Sequence, residues 1–231
     1  MKKICKNLLC VKGLQFIKGI LIGFLAPIKS SINTGHFISS LKRVSLNKNR
    51  EPIPWLTYPA IDFLADKNFK NASILEIGGG NSTLWWGARA LNVLTFDENE
   101  IWVDKLRKKI KGNTELIFVG VDRDTQKEFV SKVLLSRNQK FDVVIIDGMN
   151  RKALYVLALD WVKPSGCIIT DNSDKKDYRD VWPEANTSGF MRVDFYGLAP
   201  GTLYPHCTSI HFKSDCPYFF PDQKVFRKLS N

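Results

Sequence analysis

The first 50 residues contain no aspartate or glutamate, against ten lysines and arginines. Residues 51–231 hold 24 basic and 23 acidic residues, so nearly all of the formal charge of +11 sits in an N-terminal arm. That distribution argues against a nucleic-acid partner, whose footprint would be a basic patch on the folded domain. Cysteine is sparse and scattered, at positions 5, 10, 167, 207 and 216. No paired or metal-ligand spacing links them, which excludes a disulfide framework and fits a reducing compartment such as the cytoplasm. Only three histidines occur. His206 and His211 flank Cys207 too thinly for a zinc site, and core packing explains them better. Repeats and low-complexity tracts are absent. The lysine-free apolar run of the arm, Gly19 to Ile28, is too short to span a bilayer. What remains is a basic arm over residues 1–50 and one domain over 51–231.

The most informative stretch is Ser73-Ile-Leu-Glu-Ile-Gly-Gly-Gly-Asn-Ser-Thr83. A short apolar strand meets an acid, three glycines and a polar helix start. Gly78 and Gly80 permit backbone angles and close approaches that a side chain forbids. Asn81, Ser82 or Thr83 can cap a helix over Leu84–Leu91. A tight turn that binds nothing would also use these glycines.

Further strands are expected at Val93–Phe96, Glu115–Val119, Asp142–Ile146 and Gly166–Thr170. They are short, β-branched runs, as expected for strands buried on both faces of a parallel sheet. An acid stands at or near the end of each: Asp97, Asp122, Asp147 and Asp171. Ligands of doubly wound sheets bind at that edge, and a carboxylate about 20 residues past the glycines holds a ribose diol. Two more strands, Gly189–Tyr196 and Cys207–Phe212, are joined by a Gly/Pro loop over Gly197–His206.

These features resemble class I S-adenosylmethionine-dependent methyltransferases, over roughly Pro52 to Phe212. The resemblance implies an α/β, Rossmann-like doubly wound sheet of about seven strands, mostly parallel, closed by an antiparallel C-terminal pair. It implies S-adenosyl-L-methionine held by Glu76, Gly78, Gly79, Gly80, Ser82, Asp97, Asp122 and Asp147. Glu76 would face the methionine amino group or its loop, Asp97 the ribose, and Asp122 or its neighbours the adenine. A dinucleotide dehydrogenase would place a third glycine at Thr83. Amino methyltransferases of the Asp/Asn-Pro-Pro-aromatic type are disfavoured by Asp147-Gly-Met-Asn150.

Asp147, Asp171 and Asn172 end neighbouring strands, about 4.8 Å apart in a sheet. Three oxygen ligands with room for water suit Mg²⁺. The pattern resembles metal-dependent O-methyltransferases of the catechol and sugar type, which implies an ion that activates the acceptor hydroxyl. Those enzymes carry a lysine base where this chain has Asn150. Lys152 is the candidate base beside Asp147, and Arg151 an orienting donor. The expected acceptor is a sugar, a glycan precursor or another small metabolite; the alternatives are a non-catalytic binding or scaffold protein that keeps the fold, or a membrane-tethered methyltransferase acting on lipid-linked substrates.

Apolar residues of the arm, from Leu8 to Leu25, recur at roughly helical spacing, and Pro27 is expected to end the helix. Residues 1–28 would form an amphipathic helix. It would pack on the domain or a second subunit, lie on an anionic membrane surface, or act as a signal peptide. Trp55 and Tyr58, between prolines, lead into a helix over Ala60–Lys67 and would cover the site or pack on the core.

Overall fold

A computed structural model describes residues 2–148, 150–176 and 187–219. Seven strands form one sheet: β1 (Ser73–Ile77), β2 (Asn92–Asp97), β3 (Thr114–Phe118), β4 (Phe141–Ile146), β5 (Val162–Asp171), β6 (Met191–Gly197) and β7 (His206–Phe212). Their order is β3-β2-β1-β4-β5-β7-β6. The first five are parallel, and β7 runs antiparallel to both β5 and β6. The expected fold class is therefore what the chain adopts. Each strand lies within a residue or two of its expected place except β5, which starts four residues early, beyond an irregularity opposite Phe141 and Val143.

Helices α3 (Tyr58–Ala65), α4 (Asn81–Gly87), α5 (Glu100–Arg107), α6 (Arg123–Arg137) and α7 (Arg151–Trp161) cover the sheet. Strand alternation divides the core. Leu75, Ile77, Val144 and Ile146 pack with α6 and α7. Ile74, Val143 and Ile145 pack with α3 and the fully buried Trp86 of α4. Each such aliphatic side chain contributes about 1.5–3 kcal/mol. Helix α4 begins earlier than expected because Asn81, Ser82 and Thr83 form its first turn.

Pairing register sets the edge where the acids meet. Ile77 lies opposite both Phe96 and Ile146, so Gly78, Asp97 and Asp147 leave the sheet side by side. Ile146 faces Thr170, which brings Asp171 beside Asp147, and Asp171 faces Thr208 of β7. Strand order reverses between β1 and β4, the crevice where such sheets bind ligands.

The arm departs from expectation. Helix α1 runs unbroken over Lys2–Asn33, with Pro27 inside it. Proline removes one backbone bond and crowds the carbonyl four residues earlier. That residue is Gly23, whose place on the helix is otherwise open. Nor do polar and apolar side chains of α1 segregate onto two faces. A short α2 (His36–Lys42) follows and meets the loop before β7, the Gly201 amide donating to His36 Nδ1 at 3.4 Å, while its Ser39 hydroxyl donates to the Leu46 carbonyl at 2.9 Å.

Candidate active site

The glycine loop is locked by backbone. Gly78 has φ +96°, and its amide donates to the Phe96 carbonyl at 2.8 Å. The amides of Asp147 and Gly148 both donate to the Ile77 carbonyl. The Gly79 amide donates to Asp97 Oδ2 at 2.7 Å and the Asn99 amide to Oδ1 at 2.8 Å. A carboxylate accepts about four hydrogen bonds, so Asp97 keeps acceptor capacity toward the cavity it lines. Burial raises its pKa above the usual carboxylate range.

Glu76 lies under this loop, fully buried, and is absent from the cavity lining. Its Oε2 accepts from Thr83 Oγ1 at 2.6 Å and Thr95 Oγ1 at 2.9 Å. Thr83 in turn accepts from the Gly80 amide at 3.0 Å. Of its two expected places, Glu76 thus occupies the one against the loop. Burial pushes the carboxyl up to about 7, more than the hydroxyls of Thr83, Ser82 and Thr95 lower it.

A stability signature follows. An unfolded glutamate ionises near about 4.3. Between that value and about 7, the unfolded chain gives up a proton that the folded chain retains. Stability from this group therefore falls as pH rises across that window, by roughly 3 kcal/mol in all. Urea unfolding across the window should show Glu76→Gln gaining on the native chain as pH rises, with no change in the difference below it. A difference constant with pH would reject burial of the charge.

Asp147, Asp171 and Asn172 do converge, but around the Arg151 guanidinium. Arg151, the first residue of α7, donates to the carbonyls of Asp147, Gly148 and Asp171 at 2.7–2.8 Å. It also donates to Asp147 Oδ1 at 3.0 Å and Asn172 Oδ1 at 2.9 Å. Asp171 is engaged elsewhere: Oδ1 accepts from Thr208 and Oδ2 from the Asn172 amide. These residues fit Mg²⁺ poorly, because the guanidinium already bonds Asp147 Oδ1 and Asn172 Oδ1 and both Asp171 carboxylate oxygens are engaged. Among the described residues no cluster of three His, Cys, Asp or Glu side chains has metal-binding geometry. Burial and the neighbouring Asp171 hold Asp147 well above the ordinary carboxylate range, outweighing Arg151.

His206 opens β7 beside this cluster, its Nε2 3.3 Å from Asp171 Oδ1 but off the hydrogen-bond axis. Asp171 raises its pKa above the usual histidine value. Lys152 is exposed and does not line the cavity, and neither does the exposed Asp122. His211 is core, edge-on to Tyr155, and burial pushes its pKa down to about 3.

All of this surrounds one cavity of about 730 Å³, lined by Gly78–Gly80, Ser82, Asp97, Asp147, Arg151, Asp171, Asn172 and His206. That volume suits a nucleoside-sized ligand with a second molecule beside it. The loop before β7 adds Thr202, Tyr204 and Pro205, and Trp55 joins them. Sequence reasoning missed two contributions. Trp102 of α5 approaches Gly80, its Nε1 3.6 Å from where a Cβ would stand. Arg43, Val44 and Ser45 come from the arm and are held there by the Asn81 amide donating to the Ser45 carbonyl at 2.7 Å. An aromatic residue a few positions after Asp97 is a readable signal for Trp102; a tertiary contact of the arm leaves none.

The fold and this edge define a Rossmann-like α/β sheet, mostly parallel and closed by an antiparallel C-terminal pair. An O-methyltransferase from Bacillus cereus, solved in complex with SAH, aligns with TM-score 0.52 at 16% identity, over 85% of this chain and 97% of that one. A precorrin-6y C5,15-methyltransferase from Geobacter metallireducens aligns with TM-score 0.52 at 15% identity, over 76% and 96%. At these identities the likeness establishes the fold. No protein-family model and no curated protein matches the chain.

Proposed function

We propose that this chain transfers a methyl group from S-adenosylmethionine to a hydroxyl of a sugar, glycan precursor or other small metabolite. The observation that carries the reading is Asp97, fixed by the Gly79 and Asn99 amides over a glycine loop at the crevice. Gly78–Gly80, Ser82 and Asp97 would hold the donor, and the two solved methyltransferases of this fold support that use. When bound, the donor supplies an electrophilic methyl on a positively charged sulfur.

The acceptor end is built from Arg151, Asp171, Asn172 and His206. Arg151, whose donors are largely taken up by the strand ends, shapes its floor. A hydroxyl is a poor nucleophile until its proton has somewhere to go. His206 is placed to take it: Asp171 faces Nε2, leaving Nδ1 as the ring nitrogen for the substrate. The O–CH₃ bond forms as the S–CH₃ bond breaks, and the hydroxyl proton passes to the imidazole. His206 replaces Lys152 in this role, and the guanidinium stands where the metal was expected.

Calorimetric titration with S-adenosylmethionine tests the donor site. Micromolar binding is expected, unchanged by Mg²⁺ or EDTA. Asp97→Ala should weaken it by about 10–100-fold, the loss of hydrogen bonds to a charged acceptor. His206→Asn should leave donor affinity within about twofold while lowering methyl transfer at least about 100-fold. No binding by the native chain would overturn the enzyme reading in favour of a binding protein that keeps the fold.

A further inference from the structure

Helix α1 carries the longest run of exposed apolar side chains among the described residues. From Gly13 to Ser30 every residue is exposed. The exposed set includes Leu14, Phe16, Ile20, Leu21, Phe24 and Ile28, with Phe24 at 73%. A contiguous apolar surface of this extent marks a contact with something else.

The pattern selects the partner. A helix that packs on a domain or a second copy gathers its polar side chains on one face for water, and in this one they do not segregate. Exposed apolar side chains on every side favour an apolar medium around the helix. The length agrees: Gly13–Asn33 is 21 residues and apolar enough to cross a membrane. At about 1.5 Å per residue that is roughly 30 Å, the thickness of a bilayer's hydrocarbon core. Lys18 and Lys29 lie toward its two ends, from which their long stems reach the headgroups. Pro27 inside the helix is ordinary for such a segment. Lys12 on one side and Lys42, Arg43, Lys48 and Arg50 on the other meet no acid in the first 50 residues, which suits anionic lipid.

We propose that α1 is embedded in an anionic lipid bilayer and sets the rim of the cavity against the membrane surface. The rim itself supports the orientation. A Cβ on Gly201 would stand 3.1 Å from the backbone of Ser39 and Ser40, so α2 and the loop before β7 touch. Phe37 and Leu41 of α2, with Leu203 and Tyr204 of that loop, are exposed together at this end, Leu203 at 80%. Arg43 lines the cavity from the same segment. If the chain is a methyltransferase as read above, its acceptor hydroxyl is then one presented at a membrane surface; the embedding itself does not rest on that reading.

The test is flotation of the full chain with phosphatidylcholine vesicles, with and without phosphatidylglycerol, followed by high-salt and alkaline carbonate washes. The chain should float, more completely with phosphatidylglycerol, and resist both washes. An Ile20→Lys/Phe24→Lys/Ile28→Lys variant should stay in solution while still binding S-adenosylmethionine, because none of these side chains touches the domain. An environment-sensitive dye at Leu203→Cys, in a chain with Cys5 and Cys10 replaced by serine, should shift to the blue with vesicles. The same dye at the equally exposed Leu135→Cys on α6 should not. Release by salt would reduce α1 to a peripheral contact. A stable dimer that ignores vesicles would assign the apolar surface to a second copy. A recovered chain whose N-terminus lies beyond α1 would make it a cleaved leader. Each of these overturns the proposal, as does an unshifted dye at position 203 for the orientation. Donor titration of the same samples keeps failure of embedding separate from failure of the methyl-transfer reading.

Discussion

A Gly78→Ala chain is expected to lose roughly 3–6 kcal/mol of stability, enough to leave a marginal domain largely unfolded. Two independent penalties add. At φ +96° an L side chain is strained wherever it points. The new methyl would also stand 2.4 Å from the Gly148 nitrogen and 2.6 Å from the Asp147 carbonyl carbon. Those atoms are backbone, held by bonds to Ile77, and cannot swing aside as a side chain would. Gly80→Ala is the control. Its φ of 174° is extended backbone, and its nearest neighbour would be Trp102 Nε1 at 3.6 Å. Stability should change by less than about 1 kcal/mol there. Donor affinity should fall instead, since Gly80 lines the cavity. Urea unfolding of both variants, with donor titration of the second, separates the glycine that makes the turn from the one that makes room. A Gly78→Ala chain within about 0.5 kcal/mol of the native one would mean the loop does not have this geometry.

Most of the sheet was legible because its strands are buried on both faces and stand out as short Val/Ile runs between polar turns. The acids were legible for the same reason: a strand end is visible, and Asp97 follows Glu76 at readable spacing. Arg151 as the hub was not. Its role depends on the Ile146–Thr170 register and on α7 starting at that residue, and neither is written locally. The three expected metal ligands do meet at this edge, with a guanidinium among them. Asp122, beyond β3, is exposed and does not line the cavity, and no local sequence signal marks that. Pro27 misled because a proline weakens a helix at one backbone bond without necessarily ending it, and α1 continues through it to Asn33.

Replacing Arg151 by methionine should cost about 3–5 kcal/mol, the penalty for removing one partner of a largely buried ion pair. Its side chain is 19% exposed and that of Asp147 18%, so water does little to make good the loss. Three carbonyls, of Asp147, Gly148 and Asp171, would lose a charged donor at once. Asp147 and Asp171 would face each other without the intervening cation, and Asp147 would be driven further toward its neutral form. Arg151→Lys should recover only part of the stability, because an ammonium lacks the planar fork that reaches both strand ends. The native chain's thermal midpoint should not respond to Mg²⁺ or EDTA, since the guanidinium holds the place of the ion. A native chain that gains several degrees with Mg²⁺, and an Arg151→Met chain that unfolds at the native urea midpoint, would together return the edge to the metal-dependent pattern. The opposite result would make Arg151 the fixed cation of this site. The strand ends, the acceptor floor and the orientation of Asp171 toward His206 would then all depend on one side chain at the start of α7.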